Sequence, residues 1–289
     1  MRVYTTTKLT GLLLGPISFL LILGLIPEAE LAYAPRIVLA VTAWTAVWWI
    51  TEAVPIPAAS LLPVILLPTL GGLDMETTAK AYGDPIVFMY MGGFIIAIAI
   101  EKWNLHKRMA LHILKRIGAE SHRIVLGVMA ATAFLSMWIS NAATALMMLP
   151  VALAVIKEVQ EKEILKGESL QKFSKSILLA VAYAASIGGL ATLVGSVSNA
   201  VFAAMSKQML NHEIMFFEWF LFGFPVSILF LAILYVYLTK IKFKVSAFQG
   251  KKPDFIDRDL KALGAMTREE KSVFTVFLLT ACLWMFKFI

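Results

Sequence analysis

Residues 124–156, IVLGVMAATAFLSMWISNAATALMMLPVALAVI, run for thirty-three positions without a charged side chain, and Ser140-Asn141 stands at their centre. One straight helix of that length would be about 50 Å long, well beyond the roughly 30 Å hydrocarbon core of a bilayer. Two full spans with a turn would need roughly 40 residues or more. A re-entrant hairpin fits the length: two arms, each reaching about halfway across, with the polar tip Ser140-Asn141-Ala142-Ala143-Thr144 near the midplane. Irregular backbone at that depth is tolerated only inside protein or against a watery cavity, so the tip is a candidate binding site.

The remainder of the chain reads as membrane protein. Of 289 residues 60% are hydrophobic and only 16% charged, against about 25% charged in an ordinary soluble domain. The formal charge of +7 is spread between apolar runs and matches no nucleic-acid-binding motif. The single cysteine, Cys282, excludes an internal disulfide and is expected to be a buried, inert thiol. No cleavable signal is evident, since the run 9–26 is long enough to span.

Apolar segments place spans at 9–26, 36–54, 57–71 and 85–101, the hairpin at 123–156, an interrupted span at 175–206, and further spans at 217–239 and 271–289. With a cytoplasmic N-terminus, Arg36, Lys80, Lys207 and Lys287 fall outside. The other 22 of the 26 Lys and Arg residues then fall inside. That bias requires the hairpin to leave and return on one side, because Arg116 and Arg123 precede it and Lys157 and Lys162 follow it. Residues 102–122 read as an amphipathic helix in the cytoplasmic interface, with Leu105, Met109, Ile113 and Ile117 as its apolar stripe. The polar stretch 240–270 reads as a flexible cytoplasmic loop around Gly250-Lys251-Lys252-Pro253, and Thr267 to Glu270 matches a capping box that starts the last helix. The expected organisation is thus scaffold-type helices over 1–101, the interfacial helix, a transport-type region over 123–239, the loop, and the start of another span over 271–289.

A second segment carries chemistry. Residues 176–206 are uncharged but interrupted by Ser186-Ile187-Gly188-Gly189 and Gly195-Ser196-Val197-Ser198-Asn199. Glycine weakens a helix by about 1 kcal/mol relative to alanine, so these clusters predict unwinding and a discontinuous helix. Freed carbonyls with Ser and Asn oxygens suit a hard cation such as sodium, while the arm beginning near Asn141 offers its N–H groups to an anion. Small residues also line ordinary membrane-helix contacts, and that reading stands beside the functional one. Glu52 reads either as an intramembrane proton carrier or as part of a proline-broken turn. His106, His112 and His122 lack metal-ligand spacing and read as solvated or interfacial. No nucleophile–base pair or acidic metal cluster points to an enzyme.

These residues resemble a family. Trp49-Ile50-Thr51-Glu52-Ala53-Val54-Pro55 with Leu61-Leu62-Pro63, Gly92-Gly93-Phe94 through Glu101-Lys102-Trp103-Asn104-Leu105-His106-Lys107-Arg108, and Ser140-Asn141 with Ala143-Thr144-Ala145 and Leu149-Pro150 are similar to the divalent anion/sodium symporters. Ser186 to Gly189 with Ala191-Thr192, and the Gly195 to Asn199 loop, continue the match in order. The resemblance implies an all-α polytopic membrane protein built as the first inverted repeat of an elevator-type transporter, with a re-entrant hairpin and a broken transmembrane helix. It implies sodium binding by Ser136, Ser140, Asn141 and the Gly195 carbonyl. Substrate binding falls to Ser140, Asn141 and Ala142, and the supporting loop to Gly188, Gly189, Ser196, Ser198 and Asn199. The implied substrate is a small divalent anion (a dicarboxylate, citrate or sulfate) and the implied coupling ion is Na+. A homodimer in a bacterial inner membrane, in contact with lipid, is the implied setting.

The chain departs from the family pattern at Ala142, where threonine is usual, and in the Gly-Ser-Val-Ser-Asn loop, where Gly-Thr-Pro-Pro-Asn is usual. Both departures bear on which anion is selected. Family members carry two repeats, so the chain is expected to be an N-terminal half lacking its C-terminal repeat. Two alternatives remain: a proton-coupled or arsenite-type anion carrier, and a membrane anion-binding or assembly subunit that does not transport.

Overall fold

A computed structural model describes residues 5–118, 120–248 and 255–286, and every regular element among them is helical. The chain divides into two compact units, residues 1–88 and 89–289. Five stretches among the described residues are long and apolar enough to cross a membrane: Thr6–Leu25, Tyr33–Thr51, Met75–Lys102, Asn141–Glu161 and Phe216–Lys242.

The first unit is organised by the pairing of α1 (Thr6–Leu25) with α2 (Tyr33–Thr51). Gly11 and Gly15 lie one turn apart on the buried face of α1. A Cβ at Gly11 would come within 2.0 Å of Thr51 Oγ1, and one at Gly15 within 2.5 Å of Trp44 and Trp48. Small residues at this spacing let membrane helices approach closely, and here they make room for large side chains of the partner. The span expected over 57–71 is two short helices, α3 (Ile56–Ala59) and α4 (Leu62–Thr69), divided by a turn at Ser60-Leu61. Glu52 caps α2 in the left-handed region, with φ 47°, and its side chain is 65% exposed beside Lys8. The turn reading of Glu52 is therefore the one its geometry supports. A helix not expected from sequence, α5 (Met75–Tyr82), begins at Asp74, whose carboxylate accepts the Thr77 N–H at 2.8 Å.

In the second unit α6 (Pro85–Lys102) leads to α7 (Leu105–Ile117), then to α8 (Ser121–Ser136) and α9 (Asn141–Glu161). Only residues 137–140 join the last two, and α8 and α9 contact each other. Leu114 of α7 meets Gly127 of α8, while Leu111 shares a cleft of about 430 Å³ with Val151 of α9. Gly127 and Val151 are similar distances along the chain from the connecting turn, so the arms fold back side by side. The uncharged part of α9, Asn141 to Ile156, is about 24 Å long at 1.5 Å per residue. The buried residues of α7 are Leu105, Arg108, Ala110, Leu111 and Leu114, while Met109 and Ile113 of the expected stripe are half-buried against the same core.

Both arms rest on α10 (Gly167–Gly189), whose Phe173, Ile177, Ala180 and Ala184 are fully enclosed. After a break come α11 (Val197–Leu210) and α12 (Phe216–Val236), which continues as a π-helical segment to Lys242. The stretch expected as a loop contains α13 (Phe255–Leu263), followed by α14 (Arg268–Met285). Gly250 to Pro253 and Lys287 lie outside the described residues. Cys282 is exposed, not buried, on the side of α14 that also exposes Leu278, Leu279 and Leu283.

The capping box holds: Thr267 Oγ1 accepts the Glu270 N–H at 3.2 Å and Glu270 accepts the Thr267 N–H at 2.8 Å. Glu270 is also the partner of Arg108, which grips its two carboxylate oxygens at 3.0 Å each. The same guanidinium donates to the carbonyls of Gly264 at 2.9 Å and Leu263 at 3.2 Å. The side chains are 11% and 4% exposed. A buried ion pair is tolerable only when its remaining valences are filled, and Arg108 meets that condition. Burial pushes the Glu270 carboxyl up, but the Arg108 hydrogen bonds and the Thr267 N–H outweigh it and hold it below its ordinary value.

Gly188 tests the α8–α10 contact, since a Cβ there would stand 2.3 Å from the Ala133 carbonyl oxygen, whereas Gly24 faces open space. We expect Gly188→Ala to destabilise by about 1–3 kcal/mol through overpacking, seen as a lower detergent melting temperature, and Gly24→Ala to be neutral or slightly stabilising. Because its folded-state value is depressed, Glu270 contributes stability that is fully present above its ordinary carboxyl range and lost as pH falls from there through the lower folded-state value. Melting temperature should therefore decline below about pH 4.5 in the parent and less steeply in Glu270→Gln.

Candidate ion and anion site

The site is built where α10 stops. Between Gly189 and Val197 the chain makes a single 3-10 turn, Leu193–Gly195. A helix that ends inside protein leaves carbonyls without partners, and each must be satisfied by another group. Side chains from four places do this. Ser227 and Trp219 of α12 donate to the carbonyls of Ile187, at 2.9 Å, and Leu190, at 3.0 Å. Asn199, 4% exposed in the first turn of α11, reaches back with its amide to the carbonyls of Gly189 and Thr192, both at 2.8 Å. Tyr90 of α6 places its hydroxyl between the carbonyls of Leu193 and Ser196. Ser136, at the end of α8, donates to Ala185 at 2.6 Å.

The interruption is therefore shorter than the glycines suggest. Ser186-Ile187-Gly188-Gly189 stays helical, and Ser198-Asn199 already belongs to α11. The physical reason is proximity: these glycines serve close approach more than unwinding. Besides the contact of Gly188 with Ala133, a Cβ at Gly189 would lie 2.1 Å from Asn141 Oδ1. One at Gly195 would lie 2.6 Å from the Gly189 carbonyl oxygen and 3.0 Å from that of Ser136. Three helix ends meet at these glycines, and no side chain fits between them.

Asn141 stands in the middle of that meeting. One end of its amide faces the Ala185 carbonyl at 3.2 Å, the Gly195 carbonyl at 3.0 Å and the Ser136 hydroxyl at 2.8 Å. Turned nitrogen-in, the amide donates to these acceptors. Turned oxygen-in, Oδ1 confronts the two carbonyl oxygens with no proton between and gains the Ser136 proton only if Ala185 gives it up, so nitrogen-in is the orientation the hydrogen bonds favour. Were the amide oxygen to turn inward, it would join those of Ser136, Ala185 and Gly195 in a set of four neutral oxygens. That donor set suits a hard monovalent cation.

On the other side lies the start of α9. Ser140 caps it, with Oγ 3.4 Å from the Ala143 N–H. The N–H groups of Asn141 and Ala142 precede the first intrahelical bond and sit at the positive end of the helix dipole. Ala142 is exposed. Thr192 ties the two walls together: its hydroxyl donates to the Met137 carbonyl and accepts the Gly195 N–H at 3.1 Å.

Of the residues singled out from sequence, Ser136, Asn141, Gly189 and Gly195 come together directly, with Gly188 behind them. Ser140 holds the cap, and no hydrogen bond joins its hydroxyl to the oxygens around Asn141. The hydroxyls of Ser196 and Ser198 lie 2.9 Å apart and pair with each other. Sequence reasoning missed Ala185, whose contribution is a backbone oxygen, and Tyr90, Trp219 and Ser227, which no local motif marks. Thr192 could have been found, since it stands inside the quoted Ala191-Thr192 pair.

Comparison with known proteins gives the chain's family. Sodium-dependent dicarboxylate transporters named SdcS, from Staphylococcus aureus and Staphylococcus saprophyticus, are each 44% identical to the chain over 285 residues, covering 97% of it and 55% of the relative. The chain thus spans about half the length of the curated relatives it matches. The expected likeness to sodium-coupled anion symporters is borne out. A family model described as citrate transporter matches residues 46–289. The chain is therefore a multi-pass integral membrane protein that belongs to the citrate transporter family.

Proposed function

We propose that the complete protein is a secondary active transporter that couples sodium entry to uptake of a dicarboxylate, citrate or another divalent anion, and that this chain supplies one half of its binding apparatus. The observation that carries the reading is the convergence of Ser136, Ala185 and Gly195 oxygens on the Asn141 amide where α10 is broken. The names of the relatives, which specify sodium and a dicarboxylate, support it.

Sodium is held by neutral oxygens once the Asn141 amide turns its oxygen inward. That turn removes the donor that otherwise satisfies the Gly195 carbonyl, so ion occupancy and amide orientation are linked. The ion's charge lies next to the start of α9, where the N–H groups of Asn141 and Ala142 receive a carboxylate. Each charge favours the other's binding, which is the physical basis of coupling. Ser140 fixes the first turn that presents those N–H groups.

Within this reading α8 and α9 form a re-entrant hairpin opening to the cytoplasm, in a bacterial inner membrane with the N-terminus inside. Residues 1–101 are scaffold-type and 123–239 transport-type, moving as an elevator within a homodimer. A second repeat supplies the remaining ligands.

Asn141→Ala in the full-length transporter should abolish sodium-driven uptake in proteoliposomes while leaving folded protein by size-exclusion profile; unchanged sodium dependence would refute the site. Ala142→Thr restores a hydroxyl beside the helix start and should lower the half-saturating concentration of a carboxylate substrate several-fold. No change with succinate, citrate or sulfate would reject that role for position 142.

A further inference from the structure

The turn that carries the site has an outer side as well as an inner one. Inside, Ser136 and Asn141 face the broken helix. Outside, Trp138 projects from the same four-residue connection into an aromatic group contributed by other helices. Its ring stacks on Phe216 at 6.2 Å and 20°. The edge of a second ring, Phe277 of α14, meets it at 5.1 Å and 89°. Trp284 completes the group, 5.5 Å from Phe216. Phe216 and Phe277 are buried, and Trp138 Nε1 is enclosed without a hydrogen-bond partner. An orphaned N–H is unfavourable, so the ring is in place for its packing and not for its polar atom.

The spacing along α14 is informative. Glu270, Phe277 and Trp284 follow at seven-residue intervals, which puts them on one face with about 10 Å between successive members. The first is locked to Arg108 of α7 through two charge-assisted hydrogen bonds, and the second touches the site-bearing turn. One rigid helix therefore links a buried ion pair to the back of the binding turn.

We propose that Phe277 is a positioning residue for the 137–140 turn, and that the Arg108–Glu270 pair sets the axial position at which α14 presents it. The inference rests on the reading of Ser136 and Asn141 as sodium ligands. Packing on Trp138 reduces the freedom of the turn before the ion arrives, so less ordering remains to be done on binding. Loosening it weakens sodium affinity even when the protein folds and transports.

The test is sodium-driven uptake by the full-length protein in proteoliposomes, measured as half-saturating sodium concentration separately from maximal rate. Loss of folded protein lowers the maximal rate and leaves the half-saturation point in place, so the two effects separate. Phe277→Ala should raise half-saturating sodium at least threefold, and Glu270→Gln should move it in the same direction. Phe277→Ala combined with Trp138→Ala should raise it no more than the larger single change, because both remove one contact. An unchanged half-saturation point in Phe277→Ala, or a double variant whose effect is the product of the singles, overturns the inference. Asn141→Ala in the same series separates the two readings. If sodium dependence survives it, the ligand assignment fails and this inference with it; if it does not, an unresponsive Phe277→Ala overturns the positioning role alone.

Discussion

A helix interrupted at apolar depth is admissible only if every carbonyl it releases finds a donor, and the second unit is arranged around that requirement. The carbonyls of Ala185, Ile187, Gly189, Leu190, Thr192 and Leu193 are met by Ser136, Ser227, Asn199, Trp219 and Tyr90, drawn from α8, α12, α11 and α6. Those donors hold several helices together at one level. The Gly195 carbonyl is different, because the side-chain donor it meets among the described residues is an amide that can rotate. A rigid frame with one reversible valence is a reasonable basis for ion recognition.

Much of this was legible in the residues. An uncharged run too long for one span and too short for two marked a break at its centre, and α8 ends and α9 begins there, between Ser136 and Asn141. Gly195 lay where the helix breaks. The interpretation of Gly188-Gly189 failed because propensity describes an isolated helix, whereas these positions answer to the Ala133 backbone and the Asn141 side chain across the interface. Contacts of that kind join residues about fifty positions apart and leave no periodic trace. The helix at 255–263 was hidden for a related reason: charges that look like a solvated loop are partners for Lys107, Lys115 and Glu158 on neighbouring helices.

Not all of those charges matter equally. The Lys115–Asp257 contact at 2.7 Å is more than half exposed on both sides, and such pairs contribute about 0–1 kcal/mol. Arg108 and Glu270 are enclosed and fully hydrogen-bonded, so their pairing is directional and insulated from salt. The difference explains why the connector between α13 and α14 is held by one residue of α7 rather than by general attraction between a basic and an acidic helix.

Two of the three oxygens around the Asn141 amide, those of Ala185 and Gly195, belong to the main chain. Substitution of either residue changes shape without deleting the ligand. A scan that truncates side chains one at a time would therefore register Ser136 and Asn141 and pass over half of the proposed cation site. Selection acts on that half only through steric allowance, by admitting small residues where the chains approach. Drift in selectivity is correspondingly expected at Ala142 and the Ser196–Ser198 edge, where side chains face outward, and not at the oxygens themselves.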